Sequence, residues 1–229
     1  MNLLKFHNKI KGYTQNRQPG IEADMEPKPI AELEEYKAAG KLENKVALIT
    51  GGDSGIGRAI AILYAKEGAN VAIGYYDEHQ DAEDTVNRLQ EMGVKAKAYA
   101  HDLKDEKQSQ KLIKDVINDF GSLNILVNNG GVQFPRDHFE DITPQQVKET
   151  FMTNIFGMMF LSQAAVPYLS EGDTIINTTS VTAYRGSGHL IDYSATKGAI
   201  VSFTRSLATT LMEKGIRVKD RKSTRLNSS

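Results

Sequence analysis

Val46-Ala47-Leu48-Ile49-Thr50-Gly51-Gly52-Asp53-Ser54-Gly55-Ile56-Gly57 is the stretch on which the reading of this chain turns. Its first five residues make a continuous apolar run closed by a β-branched threonine, the composition of a strand buried on both faces in a parallel sheet. The glycines that follow end the run in a tight turn. Gly51 permits the bend from strand to helix, Gly55 lets the backbone approach a diphosphate, and Gly57 allows close packing of helix on strand. The helix behind the turn aims free N–H groups and a partial positive charge at the same point. Glycine turns also serve plain packing. What selects the phosphate reading, with Asp53, Ser54 and Ile56 beside the glycines, is the place directly after a buried strand and before a helix.

The same rhythm continues along the chain. Residues 55–68 carry Ile56, Ile60, Leu63 and Tyr64 at helical spacing, Asn70–Tyr75 reads as a second strand and 79–92 as a second helix. Third, fourth and fifth strands are expected over 95–100, 123–127 and Thr174–Thr178, with helices over 105–119, 144–169 and 192–214. Ile216-Arg217-Val218 opens a sixth strand. This alternation predicts an α/β fold: a Rossmann-type doubly wound parallel sheet in three layers, α/β/α, with right-handed crossovers, as a single domain over 45–218.

The two ends read differently. Residues 1–44 are polar and punctuated by Pro19-Gly20, Pro27 and Pro29, which excludes a long helix or a central strand. A short helix is expected over 30–40. The segment is either an arm packed on the core or on a partner subunit, or a partly disordered leader. Residues 219–229 turn polar and basic, without the apolar alternation that an interior strand needs. Asp220 to Ser229 also resembles the in-frame translation of a common sequencing adapter. The expectation is a non-native tail on a truncated frame, in which the last strand or strands of the sheet are missing.

Composition narrows the function classes. Lys+Arg 28 against Asp+Glu 29 gives a net charge of −1, which argues against nucleic acid or an anionic membrane as partner. Without cysteine there is no disulfide, thiolate nucleophile or cysteine-ligated metal, and the five histidines lack ligand spacing, so no metal is expected. No apolar run is long enough to span a membrane, and the start of the chain turns polar too soon for a signal peptide. A soluble cytoplasmic protein is the expectation.

Tyr193 and Lys197 stand four residues apart, hence on one face of the helix expected over 192–214. A cation beside a phenol favours the phenolate and draws its pKa down from about 10, which suits Tyr193 to proton transfer. Most Tyr-x-x-x-Lys pairs are solvated helix neighbours. Here Ser180 lies thirteen residues ahead of the tyrosine, and the glycine turn opens the same domain, which points to hydride-transfer chemistry.

With these motifs in hand, residues 45–218 are similar to the short-chain dehydrogenase/reductase family. Thr50 to Gly57 matches its Thr-Gly-x-x-x-Gly-x-Gly turn, Asn128-Asn129-Gly130-Gly131 resembles its Asn-Asn-Ala-Gly motif, and Asn154, Ser180, Tyr193 and Lys197 match its catalytic set. The arm, from Pro19-Gly20-Ile21-Glu22 to Pro29, resembles that of a bacterial subgroup around general stress protein 39 and related aldehyde reductases. The resemblance implies that NAD(P) carries hydride to or from a small alcohol, aldehyde, ketone or polyol. It implies that Ser180 holds the substrate oxygen and Tyr193 passes the proton. Lys197 lowers the tyrosine pKa and binds the nicotinamide ribose, and Asn154 supports a water relay. Asp102 and Leu103 are placed at the adenine, and Asn128 and Gly130 beside the cofactor. Gly130 departs from the family alanine, a change expected to loosen the turn.

Tyr75 and Asp77 stand at the end of the second strand, where Asp77 could take the ribose hydroxyls. Neither Ser54 nor Tyr76 supplies a base for a 2′-phosphate, so NAD is preferred, with NADP as the alternative. The substrate pocket is assigned to Val132, Gln133, Phe134, Tyr184, Gly186, His189 and Leu190. The family's homotetramers form through the helices at 144–169 and 192–214 and the last strand. Two other readings remain: a nucleotide-binding scaffold or inactive truncated fragment without turnover, and an enoyl reductase, whose wider tyrosine–lysine gap this chain does not match.

Overall fold

Both faces of the first strand are buried, as its composition requires. In the computed structural model, which describes Gly20 and residues 22–25, 29–33 and 35–222, β1 (Val46–Thr50) lies inside a six-stranded sheet. The others are β2 (Asn70–Tyr75), β3 (Ala96–Ala100), β4 (Ile125–Asn128), β5 (Thr174–Thr178) and β6 (Arg217–Arg221), in the order β3-β2-β1-β4-β5-β6. Every pairing is parallel. The helices are α1 (Gly55–Lys66), α2 (His79–Glu91), α3 (Glu106–Phe120), α4 (Pro144–Phe151), α5 (Gly157–Ala165), α6 (Thr182–Arg185) and α7 (Ile191–Leu211).

Strand parity sorts the core into two layers. Leu48, Leu126 and Ile175 face Leu112 and Val116 of α3 and Leu161 of α5. Ala47, Ile49, Val71 and Ile73 face Ala61 and Ile62 of α1 and Leu89 of α2. Each fully buried leucine or isoleucine contributes about 1.5–3 kcal/mol by leaving water. The strand order reverses between β1 and β4. A crevice therefore opens above their carboxyl ends, where open parallel sheets bind ligands.

Three expectations need correction. The helix expected over 144–169 is interrupted: α4 passes into a π-helical turn at Met152–Phe156, then α5, then a 3-10 turn at Val166–Tyr168. The helix expected over 30–40 does not form. The N–H groups of Ala39 and Lys41 go instead to the Glu67 carboxylate, at 3.1 and 2.9 Å, and Ala31 and Leu42 pack against the α1/α2 layer. The described part of the arm thus lies on the core. At the other end β6 runs past Val218, pairing Lys219, Asp220 and Arg221 with Ile176, Asn177 and Thr178. Parallel pairing uses backbone groups alone, and at the sheet's edge these side chains stay in water, so polarity did not stop the strand. Residues 1–19 of the arm and 223–229 of the tail lie outside the described residues.

Candidate active site

The glycine turn is built as its composition demands. Gly51 and Gly55 adopt φ +60 and +51, a region that β-carbons disfavour. A Cβ at Gly57 would stand 1.8 Å from the Gly51 carbonyl oxygen, so only glycine lets α1 sit this close to β1. At Gly55 nothing lies within 4 Å of a Cβ's position. The turn is an open backbone cradle at the N-terminus of a twelve-residue helix, which fits a diphosphate. Thr50 braces it from below: its Oγ1 accepts from the N–H groups of Asn129 and Gly130, both at 2.9 Å. Where the family alanine would stand, a Cβ on Gly130 would meet Leu103 Cδ1 at 2.8 Å, so Leu103 fills that space.

The cradle opens into a cleft of about 480 Å³ that continues over the end of β4 to Tyr193 and Lys197. Four residues apart on α7, these two place the Lys197 Nζ 5.3 Å from the centre of the Tyr193 ring. Lys197 is 3% exposed, and its Nζ donates to the Thr178 carbonyl at 2.9 Å. Burial draws its pKa down to about 8. Burial also pushes the Tyr193 phenol up, while a hydrogen bond with Ser180 pulls the other way. The phenol thus moves up, against the expected lowering by Lys197, because desolvation outweighs the Ser180 hydrogen bond. Ser180 sits half-buried beyond β5, its Oγ accepting from the Thr182 N–H at 3.2 Å.

Asn154 lies in the π turn, fully buried. Its Oδ1 accepts from the Val132 N–H at 2.7 Å, and its Nδ2 donates to the Val132 carbonyl at 2.8 Å and to Thr196 Oγ1 at 3.2 Å. Thr196 donates in turn to the Tyr193 carbonyl at 2.7 Å. One amide thus ties the loop after β4 to the helix carrying Tyr193. A Cβ on Gly131 would stand 3.0 Å from Asn154 Oδ1 and 3.8 Å from Lys197 Nζ, so both groups border the same small space.

At the far end of the cleft, Asp53, Ser54, Tyr75, Tyr76, Asp102 and Leu103 line the wall beside Glu78. Asp77, the acid singled out in the sequence, does not belong to this lining; the next residue, Glu78, does. Burial, followed by the neighbouring Asp77, pushes Glu78 up to about 7, and burial also raises Asp53. Lys104, overlooked in the sequence, reaches over the Tyr76 ring at 5.9 Å and donates to Glu149 at 2.8 Å.

Several assigned residues stand apart. Gly57 serves packing. Asn128 is buried, its Nδ2 donating to Ser162 Oγ at 3.0 Å and Asn177 Oδ1 at 2.9 Å, so it ties β4 to α5 and β5 rather than facing the cleft. Gln133 and Phe134 line the cleft, whereas Tyr184 and His189 do not. Tyr184 is exposed near Lys222, and His189 lies 3.5 Å from Asp137.

Besides Glu78 and Lys104, two more residues were missed. His101 lines the cleft and is 6% exposed, with no partner on either ring nitrogen among the described residues; burial lowers its pKa to about 4. Its place directly before Asp102 at the end of β3 was the available signal. Gln146 binds Arg136 Nε at 2.7 Å, the Phe134 carbonyl at 3.0 Å and Asp192 Oδ2 at 3.1 Å, fixing the Phe134 loop to the start of α7. No local pattern marks it.

The profile of the short chain dehydrogenase family matches residues 45–222. General stress protein 39 of Bacillus subtilis (strain 168) is 49% identical over 216 residues, covering 94% of this chain and 76% of that protein. The glucose and ribitol dehydrogenase of Daucus carota is 45% identical over 212 residues, 89% of this chain and 72% of that one. A solved short chain dehydrogenase from Burkholderia cenocepacia J2315, in complex with NADP, is similar with a TM-score of 0.76. It is 35% identical, over 79% of this chain and 74% of that one.

Proposed function

The chain belongs to the short chain dehydrogenase family and is an NAD(P)-dependent oxidoreductase, and from that premise we propose that it interconverts a small alcohol or polyol with its aldehyde or ketone through Tyr193, Ser180, Lys197 and Asn154. One observation carries the reading. The Tyr193–Lys197 pair and the glycine cradle face one continuous cleft, with Lys197 buried against the phenol. Bound NAD(P) supplies the hydride acceptor or donor. In the chain itself, Ser180 orients the substrate oxygen, and Tyr193 gives its proton to that oxygen in reduction or takes it in oxidation. Because burial holds the phenol above its ordinary range, Tyr193 is the acid at neutral pH. Oxidation should accordingly speed up, and reduction slow down, as pH rises.

Lys197 keeps a positive charge beside the developing phenolate, and a pKa near 8 makes its own proton exchangeable. Asn154 holds the Val132 backbone and the small space next to Lys197, the place for a relay water. Gln133 and Phe134 present one polar and one apolar surface to the substrate, consistent with a small oxygenated molecule. Among the described residues no helix is long and apolar enough to cross a membrane. Tyr193→Phe tests the reading: NAD(P)H absorbance should show turnover falling by orders of magnitude, with cofactor affinity nearly unchanged. Undiminished turnover would remove Tyr193 from the mechanism.

A further inference from the structure

Glu22, from the arm, is bound into the glycine turn. One carboxylate oxygen accepts from the Gly55 N–H at 2.6 Å, a contact spanning 33 residues of sequence, and the other accepts from Arg58 Nη1 at 3.0 Å. Its own N–H donates to Asp81 Oδ2 at 3.2 Å, and the residue is 8% exposed. Gly55 is the first residue of α1, and the Ser54 side chain makes no cap bond. The helix that carries the cradle thus receives its capping carboxylate from the arm. Glu22 is not among the residues that line the cleft. Gly55 and Ile56, on the turn it binds, do line the cleft. Arg58 offsets part of its charge; the remainder reaches Asp53 in the turn, whose carboxyl is raised by burial first and then by Asp81 and Glu22.

We infer that the arm is a working part of the dinucleotide site: Glu22 is a positioning residue that holds the Gly55–Arg58 turn in its binding conformation. This rests on the reading of the cleft as that site. Gly55 at φ +51 belongs to the most adaptable residue type, and its N–H is the group a carboxylate can pin. Without Glu22, the Gly55 N–H and the Arg58 guanidinium lose these acceptors. The turn then gains conformers that the cofactor must select against, which lowers its affinity. The rest of the arm is anchored separately: Glu32 pairs with Lys66 at 2.8 Å and Arg88 at 2.9 Å, and Glu67 holds Tyr36 and Lys41. Those contacts provide a control that loosens the arm without touching the turn.

Calorimetric titration with NAD and with NADP, steady-state kinetics and hydrogen exchange on Glu22→Ala, Glu22→Gln and Glu32→Ala test the inference. Glu22→Ala should weaken the preferred cofactor about tenfold, the scale of a lost helix cap. It should raise KM for that cofactor with little change in kcat and speed amide exchange at 55–58. Glu22→Gln keeps an acceptor for Gly55 and should recover part of the affinity. Glu32→Ala should lower Tm and leave cofactor affinity alone. Unchanged affinity in Glu22→Ala overturns the inference, as does an equal loss in Glu32→Ala. Tighter binding also overturns it, since the carboxylate would then compete with the diphosphate. If neither nucleotide protects the turn in the parent chain, the dinucleotide reading itself fails and takes this inference with it.

Discussion

Lys197 is a charged group 3% exposed, with the Thr178 carbonyl 2.9 Å from its Nζ. A pKa lowered from 10.5 to about 8 means that the native state resists the charged form. Below pH 8 that penalty is fully present, on the order of 3 kcal/mol. Between about 8 and 10.5 the unfolded chain binds more protons than the folded one, so this group's contribution to stability rises with pH. Lys197→Met, which keeps the apolar stem, should therefore abolish turnover yet raise Tm at pH 7, with the gain shrinking toward pH 10. Thermal melts across that range check it, and a lower Tm at pH 7 would refute the burial argument. The i, i+4 spacing of Tyr193 and Lys197 was legible in the sequence. The direction of the Tyr193 shift was not, because desolvation comes from neighbours that only the fold assembles. The same applies to Glu78 and Asp77: adjacent residues can point apart, and the backbone decides which reaches the cleft. With Asp53, Glu78 and Lys104 at the far end of the cleft and His101 neutral above about pH 4, NAD should bind more tightly than NADP at pH 8. The gap should narrow toward pH 6 as Glu78, at about 7, takes up a proton. Calorimetry at both pH values checks this; Glu78→Gln should flatten the dependence, and tighter NADP binding at pH 8 would reverse the assignment.

At the level of elements, the glycine turn shows two different demands on one residue type. A Cβ at Gly57 collides with the Gly51 carbonyl at 1.8 Å, backbone against backbone, so neither side can yield cheaply. Gly57→Ala should destabilise the fold by more than about 2 kcal/mol, the upper part of the overpacking range. A Cβ at Gly55 meets nothing, and its φ of +51 adds strain of about 1 kcal/mol. Its methyl group would project into the phosphate cradle. Gly55→Ala should thus keep most of the stability and lose cofactor affinity, the opposite profile. Denaturant unfolding with parallel titrations separates them; matching profiles would show that the cradle assignment is mistaken. The alternation of strands and helices from β1 to α3 followed from apolar runs and glycines. The π turn at Met152–Phe156 did not: it carries the Asn154 amide to the Val132 backbone, a contact between segments 22 residues apart that no local pattern records. The continuation of β6 past Val218 escaped for a related reason. Its ladder to β5 depends on backbone pairing at an edge, and side-chain pattern carries no record of that.

For the whole molecule, the outer surface of α5 bears on assembly. Phe156 and Met159 are 43% and 41% exposed, three residues apart and therefore on one face, and Tyr168 further along is 42% exposed. Phe160 and Tyr168 also border a hollow of about 270 Å³ whose other wall is Glu106, Gln110 and Lys114 of α3. The expected outcome is that this face pairs two copies about a two-fold axis, an isologous contact in which each copy offers the same stripe and hollow. The apolar centre should dominate the binding energy, with the charged wall acting as a rim. Met159→Glu places a carboxylate on that centre in both partners of an isologous contact. It should lower the sedimentation coefficient below that of the parent chain, with secondary structure and the Tyr193–Lys197 cleft intact. Lys114→Ala, at the rim, should change assembly by less than a few-fold. A monomeric parent chain, or a Met159→Glu variant that still sediments as the parent does, would show that this face is merely solvent-exposed and that the apolar stripe has another purpose.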